Sequence, residues 1–324
     1  MDEKKSQVKS WRMNQKFIIY SLVAGLLSYG CSSCKNQEEK SNKNAFEEII
    51  GENMNTETQD DVTQQNSETL QILQNISSSP VEMAALLQAT GVPFNENYIS
   101  TIDNVDRYNT DFKRALNLGI LAADLGYLNM YKKTGPIMTI MRGIRRLTEE
   151  LRVQQFYDFN TIRRLATNNE NLDSLMYISI SSFNNMDNHL QKTGRNEVSA
   201  LIICGTWLEG MFFATQVVKN ASEKNKEVIE RIGEQKLIIE NLVDILDKYK
   251  KDPRFEDLHS KYSRILKAFD GVTKTVVPGE AKEVEIDGIM VYVQTETSYV
   301  DVPEKTLQEI INVIDQVRGE VIKI

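Results

Sequence analysis

Residues 198–218 read VSALIICGTWLEGMFFATQVV, twenty-one positions whose single charge is Glu209. This is the most apolar stretch among the amphipathic segments. A helix that is hydrophobic on nearly every side has to be enclosed by others, which places this one at the centre of a bundle. Glu209 then sits where an ionised carboxylate is costly unless something compensates it.

The surrounding segments repeat the helical spacing. In NTDFKRALNLGILAADLGYLNMYKK, residues 109–133, steps of three and four connect Phe112, Ala115, Leu118, Gly119, Ala122, Leu125, Gly126 and Met130. Gly119, Ala122, Ala123 and Gly126 form a small-residue patch where a neighbouring helix can approach closely. The charges of Asp111, Lys113, Arg114 and Asp124 argue against a membrane span there. Upstream, Ser79-Pro80-Val81-Glu82 has the form of a capping box with proline in the first turn, opening a helix that ends near Ala89 before Gly91 and Pro93.

Further helices are expected over 136–151, 160–167, 172–191, 198–219, 224–250 and 254–269. In the long segment, Ile229, Ile232, Ile239, Val243 and Leu246 mark one side. The period then changes. KEVEIDGIMVYVQ, residues 282–294, alternates around Asp287-Gly288, a type I′ turn signal. A two-residue turn sets Ile286 opposite Ile289 and Val284 opposite Val291, so that these four and Val293 share a face directed at the bundle. A last helix, 304–318, presents Leu307, Ile310, Ile311, Ile314 and Val317. The fold class is mainly α: a multi-helix bundle with one β-hairpin inserted near the C-terminus.

The beginning of the chain has another purpose. Phe17 to Gly30 is an apolar run of fourteen residues, short of the roughly 20 that cross a bilayer core, and five basic residues precede it against two acidic ones. It reads as a signal peptide over residues 1–30, with Met13 an alternative start. Leu27-Ser28-Tyr29-Gly30-Cys31 resembles the lipobox of bacterial lipoproteins, with Tyr29 bulkier than usual and Cys34 a second possible acceptor. That resemblance implies a diacylglycerol on the Cys31 thiol, an N-acyl chain on the new N-terminus and attachment to a membrane. Residues 31–61, rich in Asn, Gln, Glu, Ser and Thr, form an acidic tether with too little apolar surface to fold, and the helical domain spans 62–324.

Removal of residues 1–30 takes the chain from its formal −8 to −11, which argues against nucleic acid and against electrostatic docking on anionic lipid. The three cysteines imply no disulfide framework. His189 and His259 are the only histidines, lack metal-ligand spacing, and no metal or further cofactor is expected. No nucleophile elbow, phosphate loop or dinucleotide fingerprint occurs.

Four phrases, SPVEMAALLQATGVPFN (79–95), YNTDFKRALNLGILAADLGYL (108–128), GRNEVSALIICGTWLEGMFFATQ (194–216) and the Asp-Gly hairpin, together look like an uncharacterised family of predicted helical lipoproteins from Bacteroidota. The resemblance implies a helical fold and an envelope location, and it carries over no catalytic residue. Ser32 after the acylated cysteine implies sorting to the outer membrane, with either face open.

The candidate site is therefore a polar cluster, either ligand-binding or structural: Asp124 and Glu209 within apolar helices, with Tyr127, Arg195 and Trp207 as neighbours. Three functions remain open at this level. They are a non-catalytic envelope module binding an unknown partner, an envelope protein or a small ligand; a solute-binding or sensor bundle with a pocket near Asp124 and Glu209; and a hydrolase with an unrecognised acidic site. An exposed hairpin favours the first, an enclosed polar cavity the second, and two carboxylates facing across a cleft the third.

Overall fold

The computed structural model describes residue 87 and residues 91–168, 172–221, 225–286 and 289–323, with side-chain surroundings left out at 165–168, 172–177, 179–180, 278–286 and 289–297. The chain divides into two units, Met1–Asp60 and Asp61–Ile324, and every described residue belongs to the second. The signal peptide, Cys31, the tether and nearly all of the helix expected at 80–89 lie outside the described residues.

The described chain is mainly α, with a two-stranded antiparallel hairpin near its C-terminus. In order come α1 (Asp111–Met130), α2 (Thr134–Glu150), α3 (Phe159–Asn168), α4 (Leu172–Lys192), α5 (Asn196–Asn220), α6 (Lys226–Glu234), α7 (Lys236–Asp247), α8 (Pro253–Ala268), β1 (Thr273–Ile286), β2 (Ile289–Asp301) and α9 (Glu304–Ile322). Short polar side chains start several of them. Thr110 accepts from the Lys113 N–H at α1, and Asn225 from Glu227 and Val228 at α6. At α8, Asp252 accepts from the Arg254 N–H with Pro253 in the first turn.

Helix α5 is the axis. By length and composition it could cross a membrane, yet 94% of its most apolar window is buried, with α1, α4, α6, α7 and α9 against it. Its closest partner is α1. A Cβ on Gly119 would run into the Ile202 carbonyl oxygen, and one on Gly205 into that of Leu116, so each glycine admits the other helix's backbone. Thr206 Oγ1 reinforces the crossing by donating to the carbonyls of Gly119 (3.2 Å) and Ile202 (2.9 Å). Of the small-residue patch expected on α1, Gly119 makes this approach and Ala123 is buried. Ala122 is exposed, and the space around a Gly126 Cβ is open.

The long helix expected over 224–250 is two helices meeting at Gln235. There the Gln235 N–H turns to the Ile232 carbonyl at 3.1 Å, and the buried side chain accepts from Trp207 Nε1 at 3.1 Å. Just before it, Gly233 lies so close to Val300 and Val302 that a side chain would not fit. Leu237, immediately after the break, is 66% exposed.

The hairpin is longer than the expected 282–294. Its register pairs Ile286 with Ile289 and Val284 with Val291, as a two-residue turn requires, and an irregularity lies between Pro278 and Ala281. Asp287 and Gly288 themselves, and the surroundings of Val284, Ile286, Ile289, Val291 and Val293, lie outside the description. At its base, Val300 is buried against α6. Two rungs further out the same face is open, with Val276 48% exposed; on the other face, Val277 and Tyr299 are 47% and 56% exposed. Over these residues the ribbon is uncovered rather than laid on the bundle.

Candidate functional site

Four pieces of chain converge on one buried polar unit. Helix α1 brings Asp124, α5 brings Glu209 and Phe212, α9 brings Arg318, and the segment around residues 98–100 closes over them. Arg318 grips Glu209 with two nearly parallel bonds, Nε to Oε2 at 2.8 Å and Nη2 to Oε1 at 2.6 Å. Nη2 also donates to the Tyr98 carbonyl and to Ser100 Oγ, each at 3.0 Å. The guanidinium lies 3.9 Å from the centroid of the Phe212 ring, within cation–π range. Ser100 is the cross-brace: its N–H donates to Asp124 Oδ2 at 3.2 Å and its hydroxyl to Glu209 Oε1 at 3.4 Å.

Asp124 and Glu209 are completely buried. Burial raises the Asp124 pKa well above the ordinary aspartate value, and the neighbouring Glu209 charge raises it further against the opposing pull of Arg318 and the Ser100 N–H. We therefore assign Asp124 as a neutral acid beside Glu209, its buried Oδ1 receiving no bond from the described residues, as suits an oxygen that carries the proton. Burial alone would lower the Arg318 pKa, but its hydrogen bonds to Glu209 and that residue's charge keep it raised. One neutral acid, one carboxylate and one guanidinium leave no net charge in this unit.

This assignment fixes a sign. A carboxyl group whose folded pKa is raised stabilises the fold below its unfolded value of about 4, and the contribution is lost as pH climbs through the folded value. Asp124→Asn mimics the neutral acid at every pH. The variant should match the wild type in unfolding stability near pH 4 and exceed it increasingly as pH rises. Denaturant titrations at several pH values would contradict the assignment if the difference stayed flat.

The other expected neighbours divide. Tyr127, one turn beyond Asp124, stacks on Phe213 at 4.4 Å and accepts from the Asn95 N–H at 3.2 Å, in the aromatic wall that also holds Tyr98. Arg195 is elsewhere, bonding the Leu151 carbonyl at 3.0 Å and Asp111 Oδ2 at 3.1 Å, where it ties the start of α5 to α1 and the end of α2. Trp207 points to Gln235, so it braces the α6–α7 break. Both expectations are corrected by helix geometry: Trp207 is two residues from Glu209 and faces a different side of α5, while Arg195 stands at the N-cap of the helix, several turns before Glu209.

The residue that sequence reasoning missed is Arg318. The signal was present, since it falls four after Ile314 and seven after Ile311, on the buried stripe of α9. Ending the helix at 318 concealed it; α9 continues to Ile322.

A cleft of about 490 Å³ lies beside this unit and shares Ser100 with it; α1 contributes Asn117 and Leu121, and the C-terminal end of the chain contributes Ile322 and Lys323. No protein-family model, curated protein or solved structure matches this chain. The site's chemistry must therefore be argued from its own atoms. Two acids side by side in the core, one neutral and the other gripped by arginine, do not flank a substrate as the paired acids of a glycosidase do. They form a four-way tie within the core.

Proposed function

We propose that the chain is a lipid-anchored helical module of the bacterial outer membrane that binds a protein partner through its β-hairpin, without catalysing a reaction. The observation that carries this reading is the uncovered ribbon, with Val276, Val277 and Tyr299 each about half exposed on strands of 14 and 13 residues. An isolated two-stranded hairpin is marginal in water. Among the described residues neither outer edge is paired, so both offer backbone donors and acceptors to an incoming strand, with the exposed apolar side chains adding contact area. The membrane half of the reading rests on the short apolar run and Cys31. The acidic balance of the remaining chain leaves the acyl chains, and not surface charge, to hold it to lipid.

Two experiments test the two halves. Cys31→Ala should move the protein from the membrane fraction to the soluble fraction. Retention in the membrane, with Cys34→Ala also without effect, would remove the anchor. For the partner, Val277→Asp combined with Tyr299→Asp should abolish co-purification of a bound polypeptide while leaving the thermal midpoint within a few degrees, since both positions are exposed. A partner that stays bound to this variant would place the interface elsewhere.

A further inference from the structure

We propose that the cleft beside the buried tie is a binding site for a small organic anion, its charged group held by Arg107 and Lys323 and its apolar body lying over Val105, Leu121 and Ile322. About 490 Å³ lies within the size range of small-molecule sites. The lining includes two cations and no acidic side chain, in a chain whose overall charge is −8. Both cations are exposed, and among the described residues neither makes an ion pair. Other surface cations in this protein are held by carboxylates, as Arg146 is by Asp106 and Glu150, and Arg264 by Glu320, so these two remain available to a ligand.

Tyr108 supplies a second, independent observation. It lines the cleft, is only 7% exposed, and its hydroxyl bonds to none of the described residues. The hydroxyl is not sealed from solvent, so it is free to donate to an occupant of the cleft. Burial raises its pKa, so it remains a donor at any physiological pH, and its preferred occupant is an acceptor. Asn117 is less available, since its Nδ2 already donates to the Lys113 carbonyl at 2.9 Å. Two cations and a neutral donor, with Val105, Leu121 and Ile322 in the same lining, match a carboxylate on a compact apolar body better than a neutral solute or a naked inorganic ion.

Benzoate and benzamide make a direct test, because they share shape and differ in charge. Calorimetric titration of the full chain with benzoate should give saturable binding. Benzamide, inorganic phosphate, and benzoate added to the Arg107→Ala/Lys323→Ala variant should each bind about tenfold more weakly or worse, the loss expected for one charge-assisted bond. Absence of saturable benzoate binding would overturn the proposal, as would equal affinity for benzamide or an unaffected double variant. Phosphate binding as tight as benzoate would overturn the role given to the apolar floor. The two replaced side chains are exposed and unpaired among the described residues, so the variant's fold should survive, which its thermal midpoint checks.

Discussion

Replacing Arg318 by methionine should cost about 3–5 kcal/mol of unfolding free energy, the largest loss expected for any one exchange on α9. The reason is what remains. Glu209 is fully buried, and without the guanidinium its side chain is left with the Ser100 hydroxyl and the neighbouring Asp124 acid and no compensating cation. The Tyr98 carbonyl and Ser100 hydroxyl lose a donor in the same step, and Phe212 loses the cation over its ring. A loss of this size is a large share of the 5–15 kcal/mol that typical domains possess. The double variant Arg318→Met/Glu209→Leu should recover much of it, because replacing both members of a buried pair by apolar groups removes the stranded charge. Chemical denaturation of the four species of this cycle would show the coupling. A single variant within 1 kcal/mol of wild type would mean that the tie contributes little.

The second large effect belongs to the α1–α5 crossing. Gly119→Val or Gly205→Val should destabilise by about 3 kcal/mol or more, at the upper end of overpacking costs. In each case the added Cβ meets a backbone carbonyl of the opposite helix, which no rotamer change relieves. Gly126, seven residues along α1 from Gly119, has open space where its Cβ would lie. Gly126→Ala should therefore stabilise by about 0.5–1 kcal/mol through helix propensity alone. Thermal unfolding of the three variants would contradict the crossing if Gly119 and Gly126 responded alike.

What could be read from the sequence follows from the range of each interaction. Periodicity is local, so the helices of the described region were legible to within a few residues, as was the pairing of Ile286 with Ile289 across the turn. The core position of residues 198–218 followed from the lack of any polar side. The difficulties were long-range. Nothing near Gln235 in sequence announces that Trp207 will bond to it or that Val300 will crowd Gly233, and so the two helices looked like one. Asp124 and Glu209 were visible as misplaced acids, and they do meet. Their cation is 109 residues beyond Glu209 on another helix, so physical necessity demanded a partner without indicating which. Arg195 was nearer in sequence but faces Asp111 and the Leu151 carbonyl. The cleft was not legible at all, because Arg107, Tyr108 and Lys323 come together only when the loop before α1 meets the end of α9.

The measurement that bears most directly on the proposed function is a native mass spectrum of the full chain extracted gently from its own membranes. The account predicts the mass of the chain from Cys31 onward plus its acyl chains, together with a second polypeptide that disappears in the Val277→Asp/Tyr299→Asp variant. A chain that carries no lipid and no second polypeptide, from wild type and variant alike, would contradict it.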